Sequence, residues 1–109
     1  MVESLVQKKI EEMVRRIVEK FHPEKIILFG SYARGQAGPD SDVDLLVVMP
    51  VSGSKREAAI QIDLALAGRG LPKDIIVATP EEVERLRDII GTLIYPAIRE
   101  GKVMYERAA

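Results

Sequence analysis

GSYARGQAGPDSDVDLLVV, residues Gly30–Val48, runs from a glycine-serine pair through small residues into Asp40, Asp42 and Asp44, then straight into an apolar segment. A chain gains nothing in stability by placing carboxylates at the mouth of a buried strand, because burial disfavours their charged form. In an extended segment residues i and i+2 share a face, so Asp42 and Asp44 project together while Val43 points to the opposite layer. Two carboxylates roughly 5 Å apart repel by about 3 kcal/mol at an effective dielectric near 20. The pattern therefore asks for a cation. Oxygen donors, no cysteine and a single histidine, His22, point to magnesium or manganese rather than zinc.

The flanking sequence places this stretch in a fold. Apolar residues at Val2, Leu5, Val6, Ile10, Met13, Val14, Ile17, Val18 and Phe21 form the stripe of an amphipathic helix that Pro23 ends. Ile26–Phe29 and Leu45–Val48 are apolar runs without alternation, as in strands covered on both faces. Ser54 followed by Glu57 is a capping-box pattern, predicting a helix to Ala67 that Gly68 ends. Asp74–Ala78 is a third strand. Thr79-Pro80-Glu81-Glu82 then starts a helix predicted to carry Val83, Leu86, Ile89, Ile90, Leu93 and Ile94 inward, to a kink or stop at Pro96. Val103–Tyr105 reads as a fourth, edge strand. Strands alternating with helices give an α+β fold of order αβαβαβα. The link between the first two strands is too short for a crossover helix, so the sheet should be mixed. The expected organisation is one domain over residues 1–109.

Composition narrows the function. With 47% hydrophobic and 30% charged residues the chain reads as globular, and a net charge of −1 provides no basic field for non-specific nucleic-acid capture. Aromatic residues are 5% and no basic segment alternates with them, so direct nucleic-acid binding is not expected. No run approaches the roughly 18 apolar residues of a membrane span, and the simplest location is the cytoplasm. The first and last helices carry more apolar residues than so small a domain needs, leaving some for a second subunit in a homo- or hetero-oligomer.

Gly30 allows close backbone approach, and Ser31 can cap a turn or short helix through Tyr32 and Ala33 whose free N–H groups bind phosphate. Arg34 lies within reach of the same phosphate chain. By itself a Gly-Ser pair is an ordinary turn. Set ten residues before Asp42-Val43-Asp44, it becomes half of a site. Asp74 reads equally well as a solvated strand start or as a third carboxylate able to complete a two-ion centre. Three competing motifs fail. Gln36-Ala37 stand where a P-loop needs Lys and Ser or Thr, Leu45 and Val51 replace the glycine and glutamate of an EF-hand, and no dinucleotide fingerprint occurs. Asp40 and Ser41 read as turn residues. Tyr32, Met13, Met49 and Met104 read as packing, His22 as structural, and Lys55, Arg56 and Arg69 as exposed charge.

Gly30-Ser31, ten residues, Asp42-Val43-Asp44 and an apolar strand resemble the signature of the DNA polymerase beta-like nucleotidyltransferase superfamily. Within it the stretch is similar to minimal nucleotidyltransferases, the MNT half of HEPN–MNT toxin–antitoxin pairs. The resemblance implies that Gly30 and Ser31, with Arg34 beside them, hold the triphosphate of ATP. It implies that Asp42 and Asp44 bind Mg2+, two ions in all with Mn2+ as a substitute, and that Asp74 joins the metal site and activates the attacking hydroxyl. It implies AMP transfer to a hydroxyl, a tyrosine, of a HEPN toxin. Larger relatives hold the acceptor with a second domain, so here another polypeptide is expected to present it. Two alternatives stay open: an antitoxin that acts by binding alone, and transfer to a small molecule.

Overall fold

The computed structural model describes residues 4–68 and 71–108. Eight elements follow in order: α1 (Leu5–Phe21), β1 (Lys25–Phe29), β2 (Val43–Val48), α2 (Lys55–Ala65), β3 (Lys73–Ala78), α3 (Pro80–Leu86), α4 (Ile94–Glu100) and β4 (Lys102–Glu106). The sheet has the order β3-β2-β1-β4. β1 runs antiparallel to β2 and to β4, whereas β2 and β3 are parallel. The sheet is mixed, as the short β1–β2 link requires, and the second helical position of the expected order is a hydrogen-bonded turn. Among the described residues no helix is long and apolar enough to cross a membrane.

Continuous apolar strands mean a sheet covered on both faces. On one face Ile26, Leu28, Val43, Leu45, Val47, Ile75 and Val77 pack against Ile10, Met13, Val14 and Ile17 of α1 and against Ile62 and Leu66 at the end of α2. On the other, Ile27, Leu46, Val48 and Ala78 meet Ile94 and Ala97 of α4, with Val83 and Leu86 of α3 alongside. Each fully buried branched side chain contributes about 1.5–3 kcal/mol of transfer free energy. Asp44, Leu46 and Val48 occupy alternate positions of β2, so Asp44 is the uncovered end of the row that α4 caps. Strand β2 begins at Val43, two residues earlier than the apolar run alone suggested, so Asp44 lies within the sheet and Asp42 just before it.

Helix α1 is capped at Ser4, whose hydroxyl accepts from Gln7 N–H at 3.0 Å, and ends at His22 in the left-handed region, φ 51°. His22 is thus a structural C-cap. Leu5 is 70% exposed and does not join the stripe, while Val2 and Arg69 lie outside the described residues. The single inward helix expected after Thr79 is corrected: it stops at Leu86, and a turn leads to α4. That turn, with Gly91 at φ 100°, does not keep the 3.6-residue period, and Ile89, Ile90 and Leu93 are exposed. The Thr92 hydroxyl then accepts from Tyr95 N–H, and Pro96 falls in the first turn of α4, where its missing N–H costs nothing. Strand β4 spans one residue more at each end than expected and forms a sheet edge.

Candidate active site

Register brings the acidic residues together. Asp44 pairs with Phe29 across the antiparallel β1–β2 ladder and with Asp74 across the parallel β2–β3 ladder. Partners in a parallel ladder share a face, so Asp74 stands beside Asp44 on the side of the sheet that carries Leu46 and Val48. The start of β2 is tied to the segment preceding β3 by Val43 N–H donating to Pro72 C=O at 2.9 Å. Val43 and Lys73, one position back, turn to the other layer, where Lys73 reaches Asp63 of α2 at 3.4 Å.

The turn after β1 approaches this pair closely. Gly30 has φ 77°, and a Cβ at that position would sit 2.2 Å from Asp44 Oδ2. Both the dihedral and the space require glycine. Beyond it, Arg34 N–H donates to Gly30 C=O at 3.1 Å, Gly35 N–H to Tyr32 C=O at 3.4 Å and Gln36 N–H to Ser31 C=O at 2.9 Å. This winding leaves the N–H groups of Ser31, Tyr32 and Ala33 without an acceptor among the described residues. Tyr32 and Ala33 pack on the α1 side of the core. Further on, Gly38 N–H donates to Ser41 Oγ at 2.9 Å, folding the loop locally; Asp40 is exposed there and outside the cluster.

Electrostatics identify Asp44 as the centre. Its carboxyl is pushed above its usual value by partial burial first, then by the negative charge of Asp74 and of Asp42; the Arg34 guanidinium opposes the shift. The other three predicted charged residues therefore all act on Asp44. The donor set is hard oxygen throughout, and a cation between these carboxylates would remove the repulsion. As the side chains stand, no three acidic or histidine residues among those described close around a single point. Asp42, Asp44 and Asp74 form a charged rim that is open to solvent. Sequence reasoning missed Gln36, whose Oε1 accepts from Arg34 Nε–H at 3.2 Å. Its only signal was the two-residue spacing from an arginine.

What such an arrangement can do is limited: bind a polyanion at a turn rich in free N–H groups and face it with carboxylates that call for divalent ions. The chain is similar to "Putative protein adenylyltransferase MJ0604" of Methanocaldococcus jannaschii, with 48% identity over 44 residues, 38% of this chain and 44% of that protein. It thus spans less than half the length of that relative. In fold it is similar to the crystal structure of a "putative nucleotidyltransferase" from Sulfolobus solfataricus, at TM-score 0.62 and 21% identity over 98% of this chain and 91% of that one. It is also similar in fold to a chain of the complex of tri-AMPylated Shewanella oneidensis HEPN toxin with MNT antitoxin, at TM-score 0.55 and 19% identity over 93% and 72%. A model of the nucleotidyltransferase domain matches residues 8–97, and the chain belongs to that family.

Proposed function

We propose that this chain transfers AMP from ATP to a protein hydroxyl, and that the acceptor is a tyrosine of a HEPN toxin which the chain neutralises as its antitoxin. The observation that carries the reading is the Asp44–Asp74 pairing with Gly30 pressed against Asp44. A turn with unpaired N–H groups beside an acidic pair would supply the two halves that nucleotidyl transfer needs. The similar proteins lend support: one is named for protein adenylylation, and another is crystallised with an AMPylated HEPN toxin.

In this reading Ser31 and the turn N–H groups hold the β- and γ-phosphates, with Arg34 as a further donor, and glycine at position 30 keeps Asp44 close to them. Asp42, Asp44 and Asp74 would hold Mg2+ (two ions, with Mn2+ as a substitute), which when bound neutralises the facing carboxylates and triphosphate. The acceptor oxygen attacks the α-phosphorus while the bond to the bridging oxygen breaks. Pyrophosphate leaves, and the hydroxyl proton passes to Asp74.

The test is incubation with ATP labelled at the α-phosphorus, Mg2+ and the protein encoded beside this one, with Asp42→Asn/Asp44→Asn as control. Label should appear on the neighbour at a tyrosine and vanish in the control. No label, together with toxin neutralisation that survives the double substitution, would replace transfer by an antitoxin that works through binding. Label on a small molecule alone would remove the protein acceptor.

A further inference from the structure

We infer that Gln36 is a positioning residue that aims the Arg34 guanidinium across the triphosphate subsite. The inference rests on the nucleotidyltransferase reading and adds to it a determinant of nucleotide affinity.

Arg34 sits on an exposed turn with a long side chain, and such a side chain loses considerable rotamer freedom when it grips a ligand. The turn reduces that loss in advance. Gln36 is fixed by its main chain, whose N–H donates to Ser31 C=O at 2.9 Å. From there its side-chain oxygen takes the Arg34 Nε–H at 3.2 Å. One edge of the guanidinium is thereby used, and the two terminal amino groups stay available as a fork for phosphate oxygens. Arg34 makes no ion pair with an acidic side chain among the described residues, yet its charge reaches Asp44. A neutral amide suits this task. A carboxylate at position 36 would orient the guanidinium equally well but cancel the charge that attracts the triphosphate.

The residue that closes the phosphate turn thus also steers its arginine. The pairing is local, between residues two apart, and depends on the left-handed Gly35, φ 71°, that brings position 36 back over the turn.

The experiment is calorimetric titration of Mg·ATP and of AMP into wild type, Gln36→Ala, Gln36→Met, Arg34→Ala and Arg34→Ala/Gln36→Ala. Gln36→Met keeps the side-chain length and removes the acceptor, so it guards against a packing effect in the alanine variant. Loss of this one exposed hydrogen bond corresponds to about a fivefold weaker Kd for Mg·ATP. Both Gln36 variants should show it, with AMP binding unchanged, and Gln36→Ala should add nothing once Arg34 is gone. Wild-type affinity for Mg·ATP in either Gln36 variant overturns the inference. So does an equal loss for AMP, or a full additional loss in the Arg34→Ala background. Failure of the wild type to bind Mg·ATP removes the nucleotide site itself, and with it the role given to Gln36.

Discussion

The parallel strands β2 and β3 run side by side from Val43 and Lys73 to Val48 and Ala78, and their two ends are built on opposite principles. Where they finish, charge is answered. Thr79 and Glu82 form a reciprocal capping box at α3, and Lys55 in the first turn of α2 bonds Glu82 across the gap between the two helices. The Lys55 hydrogen bond first, and the Thr79 N–H second, hold the Glu82 carboxyl below its usual value. Where the strands start, Asp44 is set beside Asp74 with Asp42 near and only Arg34 in opposition. One end lowers a carboxylate's pKa and the other raises one. Local charge choices that oppose stability collect at functional sites, so the comparison supports the proposed site without reference to any relative.

The largest effect should come from relieving the strained end. Asp44→Asn removes a charge that repels two neighbours and would deprive the proposed metal site of a central ligand. AMP transfer should fall by at least ~10^3-fold, in the range of losing a main electrostatic element of a catalytic site. The melting temperature of the protein without nucleotide should rise. A lower melting temperature would break the contrast, because it would make Asp44 a structural residue.

Next in size is the glycine that leans on this carboxylate. Gly30→Ala places a methyl group 2.2 Å from Asp44 Oδ2 on a backbone at φ 77°. The left-handed dihedral alone costs about 1–2 kcal/mol, which is roughly 4–16 °C for a domain of this size. Displacement of Asp44 comes in addition, with an expected drop in transfer of about 10- to 100-fold. Combining Gly30→Ala with Asp44→Gly sharpens the point: removing the carboxylate relieves the clash but not the dihedral, so stability should return only in part. Full recovery would mean that the dihedral carries none of the cost.

How much of this was legible in the sequence follows from the range of each interaction. The strands were readable because Ile26–Phe29, Leu45–Val48 and Ile75–Ala78 are apolar without alternation, and the candidate site could be proposed because Gly30-Ser31 and Asp42-Val43-Asp44 are local patterns. Spacing left the partnership of Asp44 with Asp74 undecided and only the family resemblance implied it, since the two lie thirty positions apart and the β2–β3 register joins them. Periodicity misled after Leu86: Ile89, Ile90 and Leu93 continue the spacing of Val83 and Leu86, but the helix ends at Leu86 and the turn that follows leaves all three exposed. Leu5 likewise fits the stripe of α1 but is left exposed at its first turn. The Arg34–Gln36 contact depends on a turn geometry that composition does not encode.

The smallest effect separates the two ends by sign. Glu82 has its carboxyl pKa lowered in the folded chain, so its contribution stabilises above its ordinary value of 4.5 and is lost as pH falls through the lowered one. Asp44 is the reverse. Its pKa is raised, so its repulsion is fully felt above that raised value and fades as pH falls through it toward the ordinary 3.8. At neutral pH Asp44→Asn should therefore melt above wild type and Glu82→Gln below it, each by only ~1–4 °C for groups so near the surface. On acidification the Asp44→Asn difference should close as pH falls through the raised Asp44 value toward 3.8, and the Glu82→Gln difference should be lost as pH falls below 4.5 through the lowered Glu82 value. Melting curves of the three proteins from pH 7 to pH 3 measure both. Differences of the same sign at neutral pH would mean that the two strand ends are electrostatically alike, leaving the acidic cluster no claim to be a site under strain.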